Sequence, residues 1–129
     1  MCEREKAKAD MKINIIEGEC SVCKLDGIES IDLSRQFTFV SVTDEEISLV
    51  CRSENVPKTN ARDDGWRMLR IEGQLDFSLV GILANISKIL AQEKVGIFAI
   101  STYNTDYILC KQCDFDRAVA SLKSNGYEF

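Results

Sequence analysis

The sequence predicts an α+β fold made of two ferredoxin-like (βαββαβ) units packed together, the first of them degenerate. Two observations lead to this fold class. In residues 68–125 a strand pattern, an amphipathic helix pattern, two strand patterns and a second helix pattern follow one another. In addition, residues 39–51 (FVSVTDEEISLVC) and residues 98–110 (FAISTYNTDYILC) are equal in length and share one strand, turn, strand pattern. We therefore expect two copies of one unit, the first lacking most of its helices.

The first copy is predicted over residues 11–63. Residues 1–10 are a charged tail without an apolar segment, which argues against a secretory signal and favours a cytoplasmic protein. Residues 12–16 and 21–25 read as strands, with Gly18 acting as a bulge between them. Residues 26–35 are polar and fit either a short helix or an irregular connection. Residues 37–42 and 46–51 predict a hairpin, and residues 53–65, which contain the only proline, predict a loop at the boundary between the copies.

The second copy is predicted over residues 64–129. It begins with a strand at residues 68–72, followed by a helix at residues 79–93 that Asp76 or Ser78 can cap. Strands at residues 95–102 and 106–110 come next. Asp114 is then predicted to cap a second helix that stops at Asn125 and Gly126. Because little chain remains after Gly126, the last strand of this unit is nearly absent, and we expect an open sheet edge that a homodimer would cover.

Composition excludes several classes of function. The chain has 129 residues, no histidine and a net charge of −5, so the commonest general base and any His-containing metal site are missing. The sequence shows no basic patch for nucleic acid and no apolar run long enough to cross a bilayer. The six cysteines include two CxxC pairs, Cys20/Cys23 and Cys110/Cys113. The first pair lies in a predicted strand, the second straddles the end of a strand, and the two pairs lie far apart in the sequence. We therefore expect reduced, mostly buried thiols and neither metal nor cofactor.

The stretch EGQLDFSLVGILANISKILAQEKVGIFAISTYNTDYIL, residues 72–109, closely resembles the small tandem ACT-domain proteins. Their second unit carries EGxxDFSxxGILA followed by IFAISTYxTDYIL. The stretch is also similar to half of a CASTOR-type arginine sensor, which has a comparable hairpin. The resemblance implies a regulatory, amino-acid-binding protein that is not an enzyme, with one site per chain and an arrangement of four units in a dimer. It implies a ligand site at the following residues: Asp76, Phe77, Ser78, Gly81, Ile82, Thr102, Tyr103, Asn104 and Asp106.

The chemistry of these residues suits a free amino acid. The unpaired amides at a helix start favour its carboxylate, and Asp106 could take its ammonium or a cationic side chain. Simpler interpretations remain open: Asp76 as a plain N-cap, Gly81 as relief of crowding between helix and sheet, and Asp106 as a turn stabiliser. The leading hypothesis is therefore an amino-acid-binding regulatory module. The alternatives are a protein-interaction module with no small-molecule ligand and a cysteine-based metal or redox protein.

Overall fold

The computed structural model describes residues 12–72 and 81–129, which form two compact units. The strand unit comprises Gly18–Trp66, and the helical unit comprises residues 12–17, 67–72 and 81–129 of the described chain. Two long strands, β1 (Lys12–Leu25) and β4 (Arg62–Glu72), each contribute residues to both units. The boundary between the two compact units therefore falls within β1 and within β4. The predicted division into residues 11–63 and 64–129 concerns the sequence repeat and stays a prediction.

The strand unit contains β2 (Phe39–Val42) and β3 (Ile47–Arg52), with a short 3-10 turn at Ser53–Asn55, and its strand order is β2-β3-β1-β4. Strand β3 pairs antiparallel with both β1 and β2. Residues 26–38 form turns and irregular chain, so the second of the two open alternatives for this connection is the correct one. The core of the unit consists of Cys23, Leu25, Leu49 and Cys51, against which Ile31, Ile47 and Val56 pack.

The helical unit contains the remaining elements: α1 (Ile82–Gln92), β5 (Ile97–Ser101), β6 (Asp106–Lys111) and α2 (Gln112–Ser124). Its strand order is β1-β4-β6-β5. The buried faces of both helices and of the strands form one core, which includes Ile13, Leu69, Ile86, Leu90, Ile108, Phe115 and Leu122. The predicted α+β, ferredoxin-like fold is thus confirmed. None of the helices in the described part of the chain is long and apolar enough to cross a membrane.

The open edge predicted after Gly126 is wrong for this unit. Strand β1 lies beside β4, and the Asn14 Nδ2 donates to Glu72 Oε1 at 2.5 Å. The Ile13 amide donates to the Glu128 carbonyl at 2.7 Å, and Lys12 and Glu128 form a parallel bridge. The start of β1 therefore occupies the position of the missing last strand. Residues 12–16 were predicted as a strand of the first copy, and in the structure the strand that they begin lies beside β4.

The predicted repeat is visible in the pairing of the two hairpins. Val42 lies opposite Ile47 at the end of the β2–β3 ladder, and Ser101 lies opposite Asp106 at the same point of the β5–β6 ladder. In both turns a threonine amide donates to a carbonyl three residues later, from Thr43 to Glu46 at 2.9 Å and from Thr102 to Thr105 at 2.8 Å. Strands β3 and β6 also share one burial pattern, with three consecutive buried residues.

The helix starts differ from the prediction. Helix α2 begins at Gln112, with Lys111 in the N-cap position, so the prediction of Asp114 as a cap is wrong. Asp114 instead lies in the first turn, where a carboxylate interacts favourably with the helix dipole. It also forms an ion pair with Arg117 at 3.0 Å. Helix α1 begins at Ile82, with Gly81 in the N-cap position. The predicted caps Asp76 and Ser78 lie outside the described residues.

Candidate functional site

The β5–β6 turn carries four of the predicted ligand residues. Thr102 closes this turn twice, because its amide and its Oγ1 both donate to the Thr105 carbonyl at 2.8 Å. Tyr103 and Asn104 form the exposed tip, and the Tyr103 side chain is 103% exposed. Asp106 opens β6 and is half-buried. Thr102, Tyr103, Asn104 and Asp106 therefore belong to one rigid turn.

The Thr105 side chain anchors this turn to the neighbouring strand. The Thr105 Oγ1 donates to the carbonyl of Ile71, the penultimate residue of β4. Strand β4 ends at Glu72, and the segment that follows, residues 73–80, contains Asp76, Phe77 and Ser78. These three predicted ligand residues lie outside the described residues. The bond holds the turn against the end of β4, the strand that precedes these residues in the sequence.

The other two predicted residues are at the start of α1. Gly81 has φ 89°, a left-handed conformation that favours glycine, and its carbonyl accepts from the Asn85 amide at 2.8 Å. Among the described residues no heavy atom lies within 4 Å of the position a Cβ would take on Gly81. The left-handed conformation by itself favours glycine at this position. Ile82 packs against the core of the helical unit, which gives it a structural role.

A polar cluster at the end of β4 was not predicted from the sequence. The Arg70 Nε donates to Glu72 Oε1 at 2.7 Å, and the same oxygen accepts from Asn14. Hydrogen bonds to Tyr107, and then to Glu72, raise the pKa of Arg70. The available signal was the alternation along β4, since residues 70 and 72 share one face of a strand. The cluster fixes charged groups at the end of β4.

A second polar network lies in the strand unit and was also missed. Ser21 is completely buried, and its Oγ donates to Asp64 Oδ1 at 2.5 Å and lies 2.7 Å from the Ser53 Oγ. The Arg62 Nε donates to the same Asp64 oxygen at 3.0 Å, and the Ser53 Oγ donates to Glu19 at 3.2 Å. Nothing in the spacing of these residues signals the network, because it joins three separate segments. The network supplies hydrogen-bond partners to Ser21, the only buried polar residue among those described.

The cysteines are placed as small buried side chains. Cys20, Cys23, Cys51 and Cys110 are buried, whereas Cys113 is exposed. Burial raises the pKa of Cys51 and of Cys110 to about 11, and it also raises the pKa of Cys23. Within residues 12–72 and 81–129, no group of three or more Cys, Asp or Glu residues is arranged to hold a metal ion. A thiol that stays protonated is a poor nucleophile and a poor ligand.

Comparison with known proteins gives a family match for just under half of the chain and several similar folds. Residues 61–124 match the ACT domain family. The chain is similar to protein Atu0741 of Agobacterium tumefaciens, with 26% identity, 92% of this chain and 90% of that chain covered, and a TM-score of 0.83. It is also similar to a Vibrio cholerae protein of unknown function described as a possible transport protein, with 19% identity, coverages of 92% and 91%, and a TM-score of 0.74.

The regulatory subunit of aspartate kinase from Thermus thermophilus, in its ligand-free form, is a third similar structure. It shares 9% identity over 91% of this chain and 98% of that chain, with a TM-score of 0.63. At these identities the likeness to the Vibrio and Thermus proteins shows the fold alone. The sequence match and the fold agree on an ACT domain over residues 61–124, a range that contains the turn and the strand end described above.

Proposed function

We propose that this chain, which carries an ACT domain over residues 61–124, is a non-catalytic regulatory module that binds a free amino acid. ACT domains are regulatory and often bind amino acids, and a structure similar to this chain is a regulatory subunit of aspartate kinase. The absence of histidine and the raised pKa of the buried thiols support a protein that is not an enzyme. A cytoplasmic location and a homodimer belong to the same proposal.

The hydrogen bond from Thr105 to the Ile71 carbonyl is the observation that carries this proposal. It joins the turn that contains Asp106 to the strand end that precedes Asp76, Phe77 and Ser78. In the proposed complex, amides near the start of α1 bind the carboxylate of the ligand, because unpaired N–H groups at a helix start favour an anion. Asp106 accepts a hydrogen bond from the ammonium, and Gly81, which has no side chain, allows the ligand to approach the backbone at the start of α1.

A thermal-shift panel of the twenty amino acids tests this function. A ligand at about 100 times its Kd stabilises the folded state by about 2.7 kcal/mol, which raises Tm by several degrees for a domain of this size. We expect one amino acid or a small chemical group of amino acids to produce such a shift. Arginine is of particular interest in this panel because the sequence resembles CASTOR-type arginine sensors. A panel without any shift would contradict amino-acid binding.

The second candidate is a protein-interaction module with no small-molecule ligand. The completely exposed ring of Tyr103 at the tip of the β5–β6 turn favours it, because an exposed aromatic side chain on a rigid turn is a common anchor for a partner protein. The same panel separates the two candidates. An interaction module should show no amino-acid-dependent shift, and the substitution Tyr103→Ala should then leave its Tm unchanged while weakening partner binding.

A further inference from the structure

We propose that the strand unit carries a second ligand site, for a small polar anion with phosphate or carboxylate groups, formed around Arg35 and Arg52. The site is independent of the proposed amino-acid site, because all of its residues lie within Gly18–Trp66. It is an open pocket of about 540 Å³. The side chains that line it are all polar: Ser34, Arg35, Gln36, Arg52, Glu54 and Asn55.

The pocket lining is chemically suited to an anion. The lining residues include two arginines, two residues with carboxamides and one serine, all of which can donate hydrogen bonds, and Glu54, whose carboxylate only accepts. A planar guanidinium binds the paired oxygens of a phosphate or carboxylate through parallel hydrogen bonds. The chain as a whole carries a net charge of −5, so it does not attract anions at long range. Anion binding at this pocket would therefore depend on Arg35 and Arg52 and not on the net charge of the chain.

Arg52 is held in place from two sides. Its guanidinium carbon lies 5.3 Å from the centroid of the Phe37 ring. On the other side it packs directly on Gly18, where a Cβ would lie 2.2 Å from the Arg52 Nη1. Gly18 also has φ +104°, so a residue with a side chain would be strained there whatever the space. The backbone and the aromatic ring together orient the guanidinium before any ligand arrives.

The backbone at Phe37 supports a functional interpretation of this arrangement. Phe37 has φ 59°, an uncommon conformation for a bulky side chain. Such conformations persist where the surrounding structure holds them, and they are frequent at ligand-binding positions. Here the strained residue is the one whose ring lies against Arg52.

Arg35 can turn toward a ligand at little cost. Its Nε pairs with Asp32 Oδ2 at 3.3 Å, and both side chains are more than half exposed. Exposed ion pairs of this kind contribute little to stability. Asp32 is also held by Ser34, whose amide donates to its Oδ1 at 3.0 Å and whose Oγ donates at 2.5 Å. If Arg35 moves to an anion, these two bonds keep Asp32 in place.

The test is calorimetric titration of the full chain with pyrophosphate and, separately, with citrate, each at an ionic strength matched with sodium chloride. We expect saturable binding of at least one of them, and Arg35→Gln should weaken it about tenfold or more. Saturation by pyrophosphate alone identifies a phosphate ligand, and saturation by citrate alone identifies a polycarboxylate. Arg117→Gln is the matched control, since Arg117 pairs with Asp114 three residues earlier, as Arg35 does with Asp32.

A second variant keeps the test independent of any damage to the fold. Glu54→Gln removes the like charge from the pocket and should strengthen anion binding severalfold, a gain that misfolding cannot produce. The proposal is overturned if neither anion binds saturably in the millimolar range. It is also overturned if Arg35→Gln and Arg117→Gln have equal effects, or if Glu54→Gln leaves the affinity unchanged.

Discussion

At the scale of single residues, burial controls the chemistry of the thiols. Cys51 and Cys110 end the equivalent hairpins of the two units, and each side chain is 1% exposed. Burial in an apolar environment disfavours the thiolate, which raises the pKa of both from an ordinary value of 9.0 to about 11. Their neighbours add to the effect, Cys23 in the first case and Asp114 in the second. These cysteines therefore act as small apolar residues at neutral pH.

The raised pKa values predict how the free energy of unfolding depends on pH. Between pH 9 and 11 the thiols ionise in the unfolded chain and stay protonated in the folded one, so the unfolded state binds fewer protons and stability falls. The stabilising contribution is complete below pH 9 and is lost by about pH 11, at about 1.4 kcal/mol per pKa unit. Urea unfolding at a series of pH values measures this loss.

Substitutions assign that pH dependence to the two thiols. Cys51→Ala and Cys110→Ala should each reduce the slope of stability against pH between 9 and 11. Ile108→Val is the control, because it removes a buried methyl group that does not titrate and should cost the same stability at every pH. Slopes that stay unchanged in both cysteine variants would contradict the assignment.

At the scale of the elements, both helices end in the same motif. The Val95 amide donates to the Leu90 carbonyl at 2.9 Å, and the Lys94 amide donates to the Ala91 carbonyl at 3.0 Å. At the end of α2 the Tyr127 amide donates to the Leu122 carbonyl at 3.1 Å, and the Gly126 amide donates to the Lys123 carbonyl at 3.0 Å. These are Schellman motifs. The left-handed residue is Gly126 in one and Lys94, with φ 60°, in the other.

This difference predicts two opposite changes in stability. Lys94→Gly should stabilise the protein by up to about 1 kcal/mol, because glycine adopts a left-handed conformation without the steric cost of a Cβ. Gly126→Ala should destabilise it by about 1 kcal/mol or more for the same reason. Urea unfolding at neutral pH measures both. Equal signs for the two variants would contradict a conformational origin.

Elements with a strong local sequence pattern could be predicted, but the residues at their boundaries could be predicted less well. The helices, the two hairpins and the stop at Gly126 follow from apolar spacing and turn residues. The caps did not follow, because Asp114 is as suitable for a first-turn position as for an N-cap. The continuity of β1 through Gly18 was also hidden. In the sequence, Gly18 indicates an interruption of the strand. In the structure it has a positive φ, but the strand continues through it from Lys12 to Leu25.

At the scale of the whole molecule, the pairing of the two long strands, β1 and β4, determines features of the fold that could not be predicted from the sequence. Which unit receives residues 12–17 depends on pairing with β4, a contact between segments far apart in the chain. For the same reason the Arg70–Glu72 cluster and the Ser21 network were missed, since each joins distant segments. The turn that contains Asp106 was found because its residues are contiguous. The site as a whole stays a prediction, as Asp76, Phe77 and Ser78 lie outside the described residues.

We predict that the chain is a homodimer in solution. The covered edge beside β4 removes one reason for a dimer, but β5 remains the outermost strand of the helical unit and β2 that of the strand unit. An outer strand presents backbone groups on which a second copy can pair. Sedimentation velocity at micromolar concentration should show a species of twice the chain mass of 14.5 kDa. A single monomeric species throughout a dilution series would contradict the prediction.

The most direct test of the central claim is calorimetric titration of the wild type, Asp106→Ala and Asp44→Ala with the amino acid that gives the largest thermal shift. Asp44 is the matched control, because it is an exposed acidic residue in the equivalent turn of the strand unit. We predict that Asp106→Ala weakens binding by about 1.5–3 kcal/mol, the strength of a charge-assisted hydrogen bond, and that Asp44→Ala binds as the wild type does. Equal affinities of all three proteins would contradict a site that includes Asp106.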